Sequence, residues 1–209
     1  MKLKKMLWPT LVGLLPIVMG LAVYSKLPEK MPIHWGLDGE PNSYATKLVG
    51  VLLIPLIMIV TNIIVQFSLQ IANTTNEKLA RVMTWLLPAL SLVIQFLVLA
   101  ESLGYHLDVA LITMVIVGII FILLGNYIPK TSQNRVVGFR FPKTMSNPDN
   151  WQKTNRIGAI MLVISGLIMI IGGIVSTWYP MVAVLTFGVS LILIVLVTLC
   201  YSIRLARKS

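Results

Sequence analysis

The sequence has little of what a disulfide scaffold, a metalloprotein or a soluble enzyme requires. Its 209 residues include one cysteine, Cys200, only two histidines and seven acidic residues. A single cysteine excludes an internal disulfide and a multi-cysteine metal site. Walker and HExxH sequences are absent, as is a Ser, His and acid grouping in motif context. No catalytic residue, metal site or cofactor is therefore predicted.

Apolar residues and positive charge are in excess. Hydrophobic residues make up 57% of the chain and charged residues 11%, whereas soluble domains have about 45–50% and about 25%. A single water-facing surface cannot cover this excess, which excludes a disordered chain, a secreted disulfide scaffold and a cytosolic globular enzyme. The net charge of +10 would suggest nucleic-acid binding in a soluble protein.

Long intervals without ionisable residues predict membrane spans. About 20 apolar residues in a helix cross the hydrocarbon layer of about 30 Å. The longest interval is divided by a polar and aromatic turn at residues 176–180. The sequence therefore predicts an all-α integral membrane protein, a bundle of six transmembrane helices over residues 6–25, 48–71, 82–102, 108–127, 156–175 and 181–203. A cleaved secretory signal is the alternative for the first run, but its length favours a permanent span.

The basic residues predict the orientation of the chain. Fourteen of the 17 Lys and Arg residues fall on one side of the predicted membrane, and Lys26, Lys30 and Lys47 fall on the other. The positive-inside rule then places both termini in the cytoplasm. Because topology accounts for the basic charge, direct nucleic-acid binding is not predicted.

The proline-rich loop, residues 26–47, reads KLPEKMPIHWGLDGEPNSYATK. Its three prolines oppose a continuous helix, and Asp38 with Gly39 is a turn signal, so we expect an ordered cap outside the cell. Aromatic anchors and acids would suit a recognition surface for a cationic ligand. The alternative is that the aromatic side chains sit in the lipid headgroup belt. The candidate ligand-facing residues are His34, Trp35, Asp38, Glu40 and Tyr44.

The basic loop, residues 126–156, carries six of the 17 basic residues and one acid, Asp149. Asn147 followed by Pro148 and Asp149 predicts a helix start, so the fifth helix should begin in the cytoplasm near Pro148. Residues 135–141, RVVGFRF, could form a short extended piece against the helix ends. Attraction to lipid headgroups would explain the charges, and a docking surface that includes Arg135 is the functional alternative.

The segment GNYIPKTSQNRVVGFRFPKTMSNPDNWQKTNRIG resembles the signature of the SdpI family of bacteriocin immunity proteins. The matching positions are Asn126, Pro129, Lys130, Asn134, Gly138, Arg140, Pro142, Asn147, Trp151, Lys153, Thr154, Arg156 and Gly158. The proline-rich loop is similar to the module that commonly precedes this signature, through Leu27, Pro28, Pro32, His34, Gly39, Pro41 and Lys47. Phe141, Lys143 and Asn155 depart from the pattern.

The resemblance implies an N-terminal module over residues 1–80, with two spans, and an SdpI-like module over residues 81–209, with four. It implies a bacterial plasma membrane protein that protects a Gram-positive producer from its own secreted peptide toxin. In the best-known member it also implies signalling, by holding a small DNA-binding repressor at the membrane. Membrane lipid, a peptide toxin and a repressor are thus the expected partners. The alternatives are a small transporter or channel, and a membrane enzyme that uses Glu101, His34 and Asp38.

Small and polar residues within the spans predict helix packing. In the fifth helix, small pairs recur every seven residues and should let another helix approach closely in the bundle centre. These are Gly158 and Ala159, Ser165 and Gly166, and Gly172 and Gly173. Asn62, Gln66 and Gln70 share one helix face, and with Gln95 they suggest a hydrogen-bonded seam or a substrate path. Glu101, His106 and Asp108, with His34, could form a metal or proton site, although polar residues at an interface need no such role.

Overall fold

The computed structural model of the protein describes residues 3–36, 39–71 and 76–207. Over these residues the chain forms helices and one β-hairpin. The helices are α1 (Leu3–Val12), α2 (Leu15–Ala22), α3 (Lys47–Ile71), α4 (Glu77–Ser102), α5 (Val109–Tyr127), α6 (Pro142–Ser146), α7 (Pro148–Ser176) and α8 (Met181–Ala206). The strands are β1 (Lys30–Trp35) and β2 (Pro41–Thr46), and short 3-10 turns cover Tyr24–Lys26 and Ile128–Lys130.

Five helices of the described chain are long and apolar enough to cross a membrane. They are α3, α4, α5 with the turn that follows it, α7 and α8, and they have 22 to 29 residues each. At about 1.5 Å per residue, each exceeds the hydrocarbon thickness of about 30 Å. Large apolar side chains on their surfaces, such as Phe67 and Ile171, are exposed, as expected where helices face lipid. Five of the six predicted spans are thus confirmed as membrane-length helices.

The first predicted span, residues 6–25, is wrong as a single continuous helix. The chain forms α1 and α2 instead, with a break at Gly13 and Leu14. Pro9 lies within α1 and Pro16 in the first turn of α2, and each proline removes a backbone N–H from the helical hydrogen-bond ladder. The apolar helical stretch Leu7–Ala22 is shorter than the other five. Over the described residues the structure therefore has five membrane-length helices and one shorter, broken apolar segment.

The chain is mostly helical, as predicted for an all-α membrane protein, and the proline-rich loop adds a β-hairpin. Strand β1 pairs antiparallel with β2, with Lys30 opposite Thr46 and Met31 opposite Ala45. The turn is closed by a hydrogen bond from the Gly36 N–H to the Glu40 carbonyl at 2.8 Å. Prolines prevent a helix here, while the aromatic and β-branched residues between them suit a strand.

Two compact units divide the chain, Met1–Ile71 with Ala80–Val109 (unit 1) and Ala72–Leu79 with Ala110–Ser209 (unit 2). Nearly all of α4 packs within unit 1, whereas the sequence division places it in the second module. The proposed module boundary near residue 80 remains a prediction. The core of unit 1 joins the hairpin to α3 and α4 through Leu27, Met31, Val51, Val98 and Leu99.

In unit 2, α7 packs against both α5 and α8 through its small residues. A Cβ atom on Gly118 of α5 would lie 2.6 Å from the Gly166 carbonyl oxygen, so these two helices touch at the backbone. On the other side, a Cβ atom on Gly172 would lie 2.3 Å from Thr186 Oγ1 of α8. The buried small residues of α7 are Gly158, Ala159, Ser165, Gly166, Gly172, Gly173 and Ser176. The absence of side-chain bulk thus permits the close helix contacts.

Candidate functional site

The hairpin of the proline-rich loop is fixed to the start of α3. Met31 is fully buried, and a Cβ atom on Gly50 would lie 3.0 Å from its side chain, so the methionine fills the space that the glycine leaves. At the base of the hairpin, Lys47 Nζ lies 2.8 Å from Glu29 Oε1 and 5.1 Å from the centre of the Tyr24 ring. These contacts hold the hairpin in a defined position on unit 1.

Two of the five candidate residues in this loop are exposed side chains of the strands. His34 Nδ1 lies 2.7 Å from Asn42 Oδ1 across the hairpin. The Tyr44 ring is exposed, and its hydroxyl donates to the Pro41 carbonyl at 3.4 Å. The hairpin therefore presents an imidazole, an amide and a phenol to its surroundings, which are groups that bind peptides well.

The other three candidate residues have different positions. Trp35 is half-buried and packs against the core of unit 1. Its indole N–H is buried and has no hydrogen-bond partner among the described residues. Glu40 is exposed beside the turn, and Asp38 lies outside the described residues. The Trp35 ring, next to the turn of the hairpin, thus packs on the core of unit 1 and is not part of the exposed hairpin surface.

Buried amides form the predicted hydrogen-bonded seam in unit 1. Asn62 Nδ2 donates to the Thr84 carbonyl at 2.8 Å, which links α3 to α4. Gln66 Nε2 donates to Asn62 Oδ1, and Gln95 Nε2 of α4 donates to the Gly50 carbonyl at 3.4 Å. Since Asn62 and Gln95 each bond a backbone carbonyl of the neighbouring helix, the seam favours a packing role over a substrate path.

Glu101 and His106 lie within ion-pair distance of each other near the end of α4. His106 Nδ1 lies 3.7 Å from Glu101 Oε1, with the histidine exposed and the carboxylate largely buried. The Leu107 N–H is 3.5 Å from the other Glu101 oxygen. Over the part of the chain that the structure describes, no three His, Cys, Asp or Glu residues come together to hold a metal ion.

The basic loop is folded against the beginning of α7 by side chains of that helix. The predicted N-cap is observed, because Asn147 Oδ1 accepts from the backbone N–H groups of Asp149 and Asn150. The buried Trp151 donates through its indole N–H to the Thr131 carbonyl at 3.2 Å. One turn later, Asn155 Oδ1 accepts from the Phe139 N–H at 2.8 Å. The loop is therefore hydrogen-bonded to α7 at two positions, Thr131 and Phe139.

Two glycines make this close attachment possible. Gly138 has φ +117°, which other residues rarely adopt, and a Cβ atom there would lie 2.6 Å from Asn155 Oδ1. A Cβ atom on Gly158 would overlap the Phe139 ring at 2.1 Å, so this ring lies directly on the α7 backbone. Both signature glycines thus have positions that a side chain would disturb.

The RVVGFRF segment is not a strand, contrary to the expected extended piece. Residues 135–138 form bends, because Asn134 Oδ1 accepts from the N–H groups of Val136 and Val137 at 2.8 Å each. An asparagine side chain that bonds its own following backbone replaces the ladder partner that a strand would need. After the bends, Thr144 Oγ1 donates to the Phe139 carbonyl at 2.8 Å and closes the segment onto α6.

The basic side chains of the basic loop are exposed, although the loop backbone is bonded to α7. Arg135 and Arg140 line a hollow of about 560 Å³ with Phe139, Phe141 and Met145. Arg140 Nη1 donates to the Arg135 carbonyl, which holds the two arginines near each other. Positive charge beside half-buried aromatic rings suits an acidic or amphipathic protein partner.

The remaining signature residues have mainly local contacts. Lys153 Nζ pairs with Asp149 Oδ2 at 2.8 Å, one turn away on α7. Lys130 Nζ is 3.4 Å from Asn126 Oδ1, while Arg156 is exposed on α7. Pro129 lies in the 3-10 turn after α5, and Pro142 begins α6.

One buried connection of the site was not found from the sequence. Asn150 Nδ2 donates to the Ser202 carbonyl at 2.9 Å, and Asn150 Oδ1 accepts from the hydroxyls of Ser202 and Thr154 at 2.9 Å each. This link ties the start of α7 to the end of α8. The spacing of four residues between Asn150 and Thr154 was the available signal, but the partner Ser202 lies 52 residues away.

The five membrane-length helices, together with similarities to known proteins, indicate a multi-pass protein of the bacterial plasma membrane. Residues 130–202 match the SdpI/YfhL protein family, and residues 11–59 match a domain of unknown function, DUF1648. The resemblance to the SdpI family is thus confirmed, together with the N-terminal module that precedes its signature.

A curated relative extends this similarity over most of the chain. The protein is 29% identical to the Immunity protein SdpI of Bacillus subtilis (strain 168) over 168 residues, which cover 80% of each chain. No solved structure matches the chain.

Proposed function

We propose that this chain is an immunity protein that protects the cell from a secreted peptide toxin. The similarity to an immunity protein over 80% of both chains carries the proposal. The proline-rich loop is the proposed toxin-binding element, and the basic loop is the proposed contact for a cytoplasmic partner. Neither role requires a chemical reaction by the protein.

The hairpin offers a way to bind a peptide. Strand β2 belongs to a two-stranded sheet, and residues 42–44 at its middle are exposed. An extended peptide could add to such an edge through backbone hydrogen bonds, while exposed side chains select its sequence. His34 and Tyr44 are the proposed selective contacts, because their rings are exposed in a hairpin that is fixed to α3.

Protection by the protein and by single variants tests this role. We expect expression of the chain in a toxin-sensitive bacterium to raise the toxin concentration needed for killing. Tyr44→Ala and His34→Ala should each reduce that protection about fivefold or more, since truncating an aromatic anchor typically costs over 1 kcal/mol. Ser43→Ala is the matched control in the same strand. Unchanged killing with the wild-type chain present in the membrane would refute immunity.

The proposal requires the proline-rich loop outside the cell and the basic loop in the cytoplasm. Ser43 and Ser146 are exposed, one in each loop. In a Cys200→Ser background, Ser43→Cys should react with a membrane-impermeant maleimide on intact cells, and Ser146→Cys should react only after lysis. Reversed labelling would overturn the orientation, and with it the assignment of both loops.

Signalling to a cytoplasmic repressor is the finer part of the proposal. Arg135 and Arg140 beside the Phe139 and Phe141 rings would bind an acidic face of such a partner. A tagged small DNA-binding repressor should be recovered with membranes that contain the wild-type chain when toxin is present. Arg135→Gln with Arg140→Gln should release it, whereas Lys143→Gln should not. Equal recovery from all three membranes would exclude this docking surface while leaving immunity untouched.

A further inference from the structure

A groove in unit 2 runs between the end of α5 and the first half of α7. Its volume is about 880 Å³. Leu123 and Asn126 of α5 and Lys130 of the following turn line one wall, and Arg156, Ile160 and Ile164 of α7 line the other. The three apolar side chains are 39% to 47% exposed, so the groove is open to whatever surrounds the helices.

Polarity changes in the same direction along both walls. On α7, Arg156, Ile160 and Ile164 are spaced by four residues and therefore form one stripe. From Arg156 to Ile164 this stripe rises about 12 Å. On the opposite wall, Leu123 precedes Asn126 and Lys130 in the chain. One end of the groove is therefore cationic and polar, and the other end is aliphatic.

The positive charge of the groove is not neutralised by the protein. Asp149, the acid of the basic loop, pairs with Lys153. Among residues 76–207, no carboxylate lies within ion-pair distance of Lys130 or Arg156. Lys130 instead has Asn126 Oδ1 at 3.4 Å and the centre of the Tyr127 ring at 5.6 Å. Two cations at one end of an apolar groove favour an amphiphile with an anionic head.

We propose that this groove is a binding site for an anionic phospholipid. Lys130 and Arg156 bind the headgroup phosphate, Asn126 hydrogen-bonds the polar headgroup, and an acyl chain lies along Leu123, Ile160 and Ile164. A free phosphate ion would use only the cationic end, whereas a lipid uses the whole length of the groove. The site does not depend on toxin binding. Lys130 and Arg156 are the charged residues that border the apolar runs of α5 and α7, which is where lipid headgroups are expected.

Lipid binding to the full-length protein tests the proposal. Native mass spectrometry in detergent would measure the apparent Kd for phosphatidylglycerol, phosphatidylcholine and glycerol 3-phosphate. The wild type should bind phosphatidylglycerol most tightly. Lys130→Gln with Arg156→Gln should weaken this binding about 25-fold, which corresponds to about 2 kcal/mol from two cations. Lys143→Gln with Arg204→Gln removes the same charges away from the groove and should leave the Kd within about twofold of the wild type.

Two further variants separate the lipid from other anions and from a folding defect. Ile160→Trp fills the apolar end without a change of charge and should also weaken phosphatidylglycerol binding. Lys130→Arg with Arg156→Lys keeps both cations and should retain it. Equal loss in the groove variant and its control would overturn the proposal, as would equal affinity for phosphatidylcholine. Glycerol 3-phosphate binding as tightly as the lipid would assign the site to a soluble anion instead.

Discussion

Replacement of Asn150 by alanine should loosen the connection between α7 and α8. Asn150 is almost fully buried, and its amide makes hydrogen bonds to the Ser202 carbonyl, the Ser202 hydroxyl and the Thr154 hydroxyl. Hydrogen bonds inside membrane bundles contribute about 0.6 kcal/mol each on average. The loss of three of them predicts that Asn150→Ala lowers the free energy of unfolding by about 2 kcal/mol.

A double-mutant cycle separates the partners of Asn150. Ser202→Ala removes only the hydroxyl bond, since the Ser202 carbonyl belongs to the backbone, and should cost about 0.6 kcal/mol. The double variant should then be no less stable than Asn150→Ala alone, because the shared bond is counted once. The measurement is reversible unfolding in mixed micelles, with SDS as the denaturant. Gln152→Ala, an exposed amide two residues away, is the control and should change stability by less than about 0.5 kcal/mol.

Two results would refute this reasoning. One is a stability of Asn150→Ala within the range of the Gln152→Ala control. The other is full additivity of the two single variants, which would mean that Asn150 and Ser202 do not interact in the folded protein.

Three further variants test other contacts. Gly138→Ala should lower the free energy of unfolding by more than about 2 kcal/mol and make the basic loop sensitive to protease, because backbone strain of about 1–3 kcal/mol adds to a clash of the new Cβ atom with Asn155 Oδ1 at 2.6 Å. Gly104→Ala is the control: at φ +89° and with no atom near its Cβ position, it should show the cost of backbone strain alone. Met31→Ala should destabilise unit 1 by about 2–5 kcal/mol, as for other buried large-to-small changes, and increase hydrogen exchange in the hairpin; unchanged exchange would mean that Met31 is not its anchor. Glu29→Gln should leave the free energy of unfolding close to that of the wild type, since the Glu29 carboxylate that pairs with Lys47 is 86% exposed; a clear loss of stability would contradict that reading.

The long helices were predictable because their apolar length is dictated by the membrane. The predicted span over residues 48–71 corresponds to α3, Lys47–Ile71, and the predicted helix start at Pro148 is the start of α7. The hairpin was missed although a signal was present, since Asp38 and Gly39 between strand-forming residues are typical of hairpin turns. The break in the first span had its signal in the closely spaced Pro9, Gly13 and Pro16.

The interior of the basic loop could not be predicted from the sequence. Asn134 bonds its own neighbours, whereas Asn155 reaches the backbone of Phe139, 16 residues away. Nothing in the local pattern distinguishes these two asparagines, because the partner of a side chain is decided by tertiary packing. The sequence shows that Arg135 and Arg140 belong to this loop, but the hollow that they line depends on the fold beneath them.

The way in which the Phe139 ring rests on Gly158 has a mechanical consequence. Trp151 and Asn155 also bond the loop, so three successive turns of α7 contact residues 131–139. If α7 rotates about its long axis, these contacts should move the guanidinium groups of Arg135 and Arg140 with the helix while the loop stays folded. A rotation of α7 inside the bilayer would then change the orientation of two positive charges on the aqueous side.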